Sequence, residues 1–323
     1  MLWLSALALA GTPWMHPPDD VLAVLNAPEI PVVQVNPTRD LLLLLTPVRY
    51  PPLADKAAPM VKVAGLRINP RTNGFHGVSG AVSPALLSAE GGEIRPLPLP
   101  EGLRVLDVAW TADGDRFALE VGHPDHIGLW VGDRTGALEE IETVRLNPLL
   151  GSELEWTSNG KHLLVKIVDP DRGPEPRAPE TPEGPLVKDA GGGGTAASTY
   201  EARDLLGSPF DEAQFSWFAR SRVAVVDPGQ ETVTPLGEAG PIAGVSMSPD
   251  GRYVLVQRLT PPWSYTTAWV RFSRDLEVWS AKGALVERIA SLPVEDSVPT
   301  HGVPEGIRDL RWRQSADATL VWT

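Results

Sequence analysis

The stretch GVSMSPDGRYVLVQRL at residues 244–259 contains an apolar strand, a tight polar turn and a second apolar strand. The Asp250-Gly251 pair at its centre is typical of a hairpin turn, because glycine readily adopts the positive φ that such turns require. The same order of strand, turn and strand occurs in four further segments: VVQVNPTRDLLLLL at 32–45, LDVAWTADGDRFALEV at 106–121, LEWTSNGKHLLVKIV at 154–168 and LRWRQSADATLVWT at 310–323. This recurring unit predicts a fold built from antiparallel hairpins.

The spacing of the hairpins indicates how they are grouped. One anchor residue ends the incoming strand of each hairpin, and the anchors are Val35, Trp110, Trp156, Met247 and Trp312. Their separations are 75, 46, 91 and 65 residues, so that one equals a period near 45 and another equals two such periods. Second hairpins follow at 127–141, 222–237 and 275–289. A period of about 40–50 residues with four strands per unit is typical of a β-propeller.

We therefore predict an all-β protein in which residues 31–323 form a propeller of about six to seven four-stranded blades. The three tryptophan anchors are expected to pack between neighbouring blades, where a large ring fills the space between two sheets. Much of the unusual composition fits this fold, since the 323 residues include 33 prolines and 30 glycines, which favour turns over long helices.

Composition also excludes several classes of function. The chain has no cysteine, so disulfides, iron–sulfur clusters and cysteine–zinc sites are ruled out. A net charge of -13 argues against a nucleic-acid partner, which requires a basic surface. No apolar run is long enough for a membrane span. We expect no cofactor.

Four regions depart from the strand pattern. Residues 1–16 begin MLWLSALALAG and resemble the remnant of an export signal, which suggests a periplasmic or secreted protein; the alternative is an ordinary buried segment of a cytoplasmic protein. Residues 17–30 are predicted to contain a short helix at Pro18–Ala27. Residues 169–198 form a loop rich in proline and glycine. Residues 199–219 are predicted to be a helical insertion, with Thr199 as its cap and Glu201, Arg203 and Asp204 in its first turns.

No catalytic or metal site is recognisable from sequence. A Gly-x-Ser-x-Gly elbow, which presents the serine nucleophile of α/β-hydrolases, does not occur. His123-Pro-Asp-His126 is the one close pair of histidines, and its proline favours a solvated turn over a metal pair. Carboxylate pairs such as Glu139-Glu140 are interpreted as solvated charges. We predict neither catalytic residues nor a metal site, and we expect the chain to be inactive alone.

Several strings of this chain are long enough to be specific, among them AGLRINPRTN at 64–73, SMSPDGRYVLVQRLTPPWSY at 246–265, VRFSRDLEVWSAKG at 270–283 and LPVEDSVP at 292–299. Through these strings the chain resembles glutamyl endopeptidase-type members of the prolyl oligopeptidase family. The strings occur in order from about Pro17 to Thr323, whereas FHGVSGAVSPA at 75–85 departs from the family pattern. The resemblance implies an N-terminal propeller that restricts access to a C-terminal α/β-hydrolase domain, and cleavage after glutamate by the complete enzyme. The hydrolase domain is absent from these residues.

The resemblance also implies a partner, namely a peptide with acidic residues. Arginine binds carboxylates through its guanidinium fork, and Arg67, Arg71 and Arg271 lie in the two modestly basic segments, 62–74 and 270–274. These three residues are therefore candidates for binding the substrate carboxylate. The resemblance further implies an exposed apolar patch at VLAVL, residues 21–25, whose expected partner is the hydrolase.

Two other functions remain open. The chain could be a free-standing propeller that binds a protein or peptide without chemistry of its own. It could also be an independent hydrolase whose site follows no recognisable motif, which a serine-reactive probe would detect.

Overall fold

A computed structural model describes residues 16–180, 203–298 and 302–323. Parts of three predicted regions lie outside the described residues. They are residues 1–15 of the expected export signal, residues 181–198 of the predicted loop, and Thr199 and Glu201 of the predicted helix start. The remaining part of the predicted loop, residues 169–180, contains no helix or strand.

The described chain is mostly β, with few helices. The strands are, in chain order, β1 Val32–Val35, β2 Leu41–Pro47, β3 Val61–Val63, β4 Leu66–Asn69, β5 Gly74–Phe75, β6 Ala81–Ser88, β7 Arg95–Pro96, β8 Arg104–Trp110, β9 Arg116–Gly122, β10 Ile127–Asp133, β11 Leu138–Glu140, β12 Leu154–Trp156, β13 Leu163–Val168, β14 Arg220–Asp227, β15 Thr232–Met247, β16 Tyr253–Leu259, β17 Arg274–Ser280, β18 Leu285–Leu292, β19 Arg311–Trp312 and β20 Leu320–Val321. The helices are α1 Asp19–Leu25, α2 Leu53–Lys56, α3 Pro209–Ala219 and a 3₁₀ helix at Trp269–Arg271.

The strands form consecutive antiparallel sheets. The first sheet contains β1, β2, β6 and β7, and the second contains β8 to β11; one residue pair, Ala81 with Val105, connects them. β15 belongs to two sheets, because residues 232–241 pair with β14 and residues 242–247 pair with β16. The third sheet is thus β12, β13, β14 and the first part of β15, and the fourth is its second part with β16, β17 and β18. β19 and β20 form a separate hairpin.

Neighbouring sheets pack face to face because side chains alternate along each strand. In β13, Leu163 and Val165 share a core with the second sheet, whereas Leu164 shares a core with the fourth. In β16, Leu255 packs toward the hairpin of β19 and β20, on the side opposite Val254. Every internal sheet therefore contributes residues to two cores. This arrangement explains why the central strands are apolar along their whole length.

The connections place long insertions at one end of the sheets. In a four-stranded antiparallel sheet, the loop between the second and third strands lies at the end opposite the two tight turns. The first sheet inserts α2 and the three-stranded sheet of β3, β4 and β5 there. Of the insertion in the third sheet the structure describes residues 169–180 and 203–219, and the fourth sheet inserts residues 260–273. One apolar core unites these three insertions with Leu149 and Leu150. We call the united insertions the cap.

The predicted hairpins are all present, and their tight turns contain glycines with positive φ at Gly114, Gly160 and Gly251. The predicted six to seven blades are not confirmed, because the described residues form four four-stranded sheets, one hairpin and the small three-stranded sheet of the cap. The irregular anchor spacings have a physical origin: the insertions that lengthen them fold into the cap rather than into further blades.

The predicted helices need one correction. The N-terminal helix lies within its predicted bounds, at Asp19–Leu25. The helical insertion begins only at Pro209, where the Ser208 side chain caps the Asp211 amide, so the prediction that Arg203 and Asp204 lie in its first turns was wrong. Proline fits the first position of a helix and disfavours helical backbone in the residue before it, which fixes the start at this point.

The expected apolar patch at residues 21–25 is exposed, since no residue of this helix is buried among the described residues. Within the described part of the chain, no helix has the length and apolarity required to cross a bilayer.

Candidate functional site

The cap is held together where its three insertions meet at Ala64 and Gly65. The Gly65 amide donates to the Asp204 carbonyl at 2.9 Å, and the Trp269 amide donates to the Ala64 carbonyl at 2.9 Å. Gly65 has a φ of +83°, and a Cβ added to it would lie 2.6 Å from the Cβ of Ala268. Glycine is therefore required here by both backbone conformation and space.

Aromatic rings form the centre of the cap. Phe215 of α3 contacts Trp263 and Phe272 edge to face, with centroids 5.2 and 5.5 Å away. Trp263 also donates its indole N–H to the Ser216 hydroxyl at 3.0 Å. Edge-to-face pairs and satisfied indole donors stabilise such clusters. The cap is thus a packed structure rather than a set of loose loops.

The end of α3 is tied to two other elements through one carbonyl. Phe218 accepts hydrogen bonds from the amide groups of Asn73 and Asn147, at 3.2 and 3.0 Å. Arg172 donates to the Asn73 carbonyl oxygen at 2.6 Å and stacks on Trp217, with 3.4 Å between the guanidinium carbon and the ring centroid. Both asparagines are buried, so these hydrogen bonds satisfy polar groups that would otherwise destabilise the cap.

A cleft of about 340 Å³ lies between the cap and the second sheet. The residues that give it chemical character are Asp55, Asn69, Arg71, Phe75, Arg104 and His123. Arg104 forms an ion pair of 2.6 Å with Asp55. Arg71 is exposed and forms no salt bridge within the described chain. The cleft therefore offers one cationic fork without an anion, beside an aromatic ring.

The structure separates the three arginines proposed from sequence. Arg71 lines the cleft. Arg67 forms an ion pair of 2.7 Å with Asp204. Arg271 donates to the backbone carbonyls of Glu295 and Val298, at 3.3 and 3.1 Å. Sequence reasoning did not identify Arg104, because a lone arginine at the start of an apolar strand gives no signal of a site.

The two histidines of the 123–126 turn lie close to a carboxylate. Nε2 of His123 and Nε2 of His126 each lie 3.5 Å from Oε1 of Glu140. The histidine side chains are only 11% and 13% exposed, so the expected solvated turn is wrong for them, although Pro124 and Asp125 are exposed. Burial, together with the charge of His126, lowers the pKa of His123.

A buried group of charges lies at the cap end of the second and third sheets. Lys166 forms an ion pair of 2.7 Å with Glu153 and donates to the Ile242 carbonyl at 3.1 Å. The Ser152 hydroxyl lies 2.5 Å from Oε2 of Glu120 and 3.2 Å from Oδ2 of Asp107.

A serine hydroxyl has one proton to donate, so a protonated Glu120 satisfies both contacts of Ser152. Burial raises the pKa of Glu120 to about 7, consistent with this proton.

Two curated proteins similar to this chain are named probable glutamyl endopeptidases. A probable chloroplastic glutamyl endopeptidase of Oryza sativa subsp. japonica is 28% identical over 323 residues, which cover 95% of this chain and 34% of that protein. A probable chloroplastic glutamyl endopeptidase of Arabidopsis thaliana is 28% identical over 334 residues, which cover 96% of this chain and 34% of that protein. The chain thus spans about one third of the length of these curated relatives. No family model matches it.

The resemblance inferred from the quoted strings is confirmed by these relatives. Among solved structures, an acylaminoacyl peptidase in complex with Z-Gly-Gly-Phe-chloromethyl ketone matches at a TM-score of 0.42 and 12% identity, covering 82% of this chain and 33% of that chain. The β-propeller domain of the Trilobed protease from Pyrococcus furiosus matches at a TM-score of 0.40 and 10% identity, covering 82% of this chain and 59% of that chain. TM-scores this low do not establish a shared role.

Proposed function

We propose that this chain is the non-catalytic propeller part of a serine endopeptidase that cleaves after glutamate, and that it restricts access of peptides to a hydrolase domain. The observation that carries the proposal is the match of 95% of the chain to one third of a probable glutamyl endopeptidase. A described fold made of consecutive antiparallel sheets, in a chain without a Gly-x-Ser-x-Gly sequence, is consistent with a non-catalytic part.

In this proposal the four sheets and the terminal hairpin are consecutive blades of a propeller with six to seven blades. The outer face of the first sheet supports further blades. The difference between the two faces lies in β2: Leu41, Leu43 and Leu45 are buried against the second sheet, whereas Leu42 and Leu44 on the outer face are only partly buried. Val33 and Val35 of β1, which pair with Leu44 and Leu42 on this outer face, are 49% and 52% exposed. An apolar sheet face of this kind is stabilised when another sheet covers it.

The cleft supplies a place for an acidic peptide side chain. Arg71 has a guanidinium without an ion-pair partner among the described residues, whereas Arg67 is paired with Asp204 and Arg271 donates to backbone carbonyls. A glutamate carboxylate matches the guanidinium fork of Arg71, and Phe75 can contact the aliphatic part of the peptide. We therefore assign Arg71 the main role among the three arginine candidates.

A free-standing peptide-binding propeller is the second candidate function. The same cleft favours it, because an unpaired arginine beside an aromatic ring binds acidic peptides with or without a hydrolase. Export to the periplasm or beyond the cell is part of either proposal, and it rests on the apolar start of the chain.

Reading the coding DNA beyond codon 323 distinguishes the two candidates. The endopeptidase proposal predicts a region, in frame or frameshifted, that encodes Gly-x-Ser-x-Gly. Its absence favours the free-standing module. Labelling of the purified chain by a fluorophosphonate probe provides the complementary test: both candidates predict no labelling, and labelling at one serine would establish an independent hydrolase instead.

A further inference from the structure

We propose that His123, His126 and Glu140 bind one divalent transition-metal ion, for which Zn²⁺ is the best fit. The three residues converge because the second sheet brings them together. His123 and His126 are in the turn between β9 and β10, and Glu140 ends β11, where it pairs with Trp130 of β10. One ligand atom from each of the three residues lies within 4.8 Å of the others.

The distances fit ligands of one ion better than hydrogen bonds. Each histidine Nε2 lies 3.5 Å from Oε1 of Glu140, which is longer than a normal hydrogen bond. Zinc bonds of about 2.0–2.2 Å in a tetrahedral site place neighbouring ligand atoms about 3.3–3.5 Å apart. The separation between Nε2 of His126 and Oε1 of Glu140 therefore matches one edge of a zinc tetrahedron, and Nε2 of His123 lies close enough to reach the same ion once its ring turns.

The hydrogen bonds around the histidines leave both Nε2 atoms as acceptors. When His126 is neutral, the contact of its Nδ1 with Oδ1 of Asp125, at 2.7 Å, places the proton on Nδ1 and leaves Nε2 as an acceptor. Nε2 of His123 lies 3.3 Å from the indole N–H of Trp130, a group that only donates. Nε2 of His126 and Oε1 of Glu140 are thus two acceptors 3.5 Å apart, whereas the lone pair of Nε2 of His123 is engaged by the Trp130 N–H. Two acceptors this close repel each other unless a cation binds between them, and His123 can add its lone pair once its ring turns away from Trp130.

Gly128 keeps this space open. A Cβ at residue 128 would lie 2.8 Å from Nε2 of His123 and 3.2 Å from Oε1 of Glu140. Gly128 also lies two residues from Trp130 on β10, so its missing side chain would lie on the same face as Glu140. Any other residue at this position would occupy the site.

One ring must turn when the ion binds. The two imidazoles stack, with centroids 4.1 Å apart and planes 22° from parallel, and an ion lies near the plane of each imidazole that binds it. The hydrogen bond to Asp125 holds the His126 ring, whereas the longer contact with Trp130 leaves the His123 ring more easily moved. We infer that His123 turns about its side-chain bonds and leaves the stack.

The ligand set selects the ion. Imidazole nitrogen suits Zn²⁺, Ni²⁺ and Cu²⁺, whereas Mg²⁺ and Ca²⁺ prefer oxygen ligands alone. Three protein ligands leave a fourth position for water, and His123 and Pro124 line the cleft through which water and the ion can enter. Asp125 is the outer carboxylate that orients a metal-bound histidine.

The test is titration of the purified, chelator-treated chain with ZnCl₂ by calorimetry, and with CoCl₂ by visible absorption. We expect one equivalent of Zn²⁺ to bind, the Co²⁺ complex to show the strong visible bands of tetrahedral cobalt, and Zn²⁺ to raise the midpoint of thermal unfolding. Glu140→Gln and His123→Ala should abolish saturable binding, and Asp125→Asn should weaken it about 10- to 100-fold.

His162→Ala is the matched control, because His162 lies 3.5 Å from Asp227 and outside the cluster. This variant should bind Zn²⁺ as the unsubstituted chain does. Glu140→Gln keeps the shape of the side chain, so a circular dichroism melt without metal that matches the unsubstituted chain shows that the fold is intact. The absence of one-equivalent binding, or equal binding by the unsubstituted chain and by both His123→Ala and Glu140→Gln, would overturn the metal site. Neither result affects the proposed peptidase role, which rests on other residues.

Discussion

The indole N–H of Trp156 on β12 donates to the carbonyl of Ala109 on β8, at 3.0 Å. Trp312 on β19 makes the equivalent bond to Ser246 on β15, at 3.1 Å. In both cases the tryptophan lies on the first strand of a sheet or of the terminal hairpin, and it bonds to the first strand of the preceding sheet. The accepting carbonyl belongs to the residue just before an anchor residue, Trp110 or Met247. A recurring tryptophan therefore connects neighbouring sheets by a directed bond as well as by packing.

Replacement of Trp156 by phenylalanine tests this connection. Trp156→Phe should lower the free energy of unfolding by about 1–3 kcal/mol, because it removes a net hydrogen bond, leaves the Ala109 carbonyl without this donor and removes buried area. Trp110→Phe is the control, since the Trp110 indole nitrogen is buried without a hydrogen-bond partner among the described residues. Urea unfolding should show a smaller loss for Trp110→Phe, and equal losses would argue against the bond.

Gly283 is predicted to be irreplaceable for reasons of space. It has a φ of +82°, and an added Cβ would lie 2.2 Å from the backbone nitrogen of Gly237. Gly102 has a φ of +88° with no atom within 4 Å of an added Cβ. Gly102→Ala should therefore lower the free energy of unfolding by about 1–2 kcal/mol through backbone strain alone, and Gly283→Ala by about 2–5 kcal/mol. Similar losses of unfolding free energy for the two variants, measured by denaturant unfolding, would contradict the close approach of Gly283 to Gly237.

Lys166 should be required for the stability of the fold only while Glu153 is charged. Lys166→Met removes the ion-pair partner of a largely buried carboxylate and should lower the free energy of unfolding by about 3–5 kcal/mol. Lys166→Met combined with Glu153→Gln removes both charges and should restore part of this loss. A double variant less stable than Lys166→Met alone would show that the pair does not act as a unit.

Stability should fall as the pH rises through neutrality. Burial raises the pKa of Glu120 and of Glu155 to about 7, so the folded state holds protons that the unfolded state releases near pH 4.5. The stability that these carboxyls contribute is present below about pH 4.5 and is lost as the pH rises through about 7. For Glu120, whose neighbours are Asp107, Ser152, Glu153 and Lys166, the loss is at most about 3 kcal/mol.

Glu120→Gln should reduce the dependence of unfolding free energy on pH between 5 and 8 to the part that Glu155 contributes, because an amide does not titrate there. Glu139→Gln, at an exposed carboxylate of β11, should leave the pH dependence of the unsubstituted chain unchanged. Identical pH profiles for the unsubstituted chain and Glu120→Gln would show that Glu120 does not hold the proton.

The hairpins were predictable because each one is local in sequence: a turn with glycine lies between two apolar strands, as at Asp250-Gly251. The cap was not predictable, because Ala64, Asp204 and Trp269 are far apart in sequence and meet through backbone hydrogen bonds that no residue pattern announces. Sequence proposed Arg71 as a candidate for binding a substrate carboxylate; the structure places Arg71 at a cleft, and its binding role stays a prediction. Sequence did not show that Glu140 would lie beside His123 and His126, because that contact depends on the register of β10 and β11.

The most direct test joins this chain to the remaining two thirds of the rice relative and compares cleavage of glutamyl and alanyl peptides by the hybrid. The proposed function predicts cleavage after glutamate in preference to alanine, and a loss of that preference in Arg71→Ala through a higher KM for the glutamyl peptide. Arg67→Ala should change it little, because Arg67 is paired with Asp204. A folded, fluorophosphonate-reactive hybrid that does not prefer glutamate would contradict the proposed function.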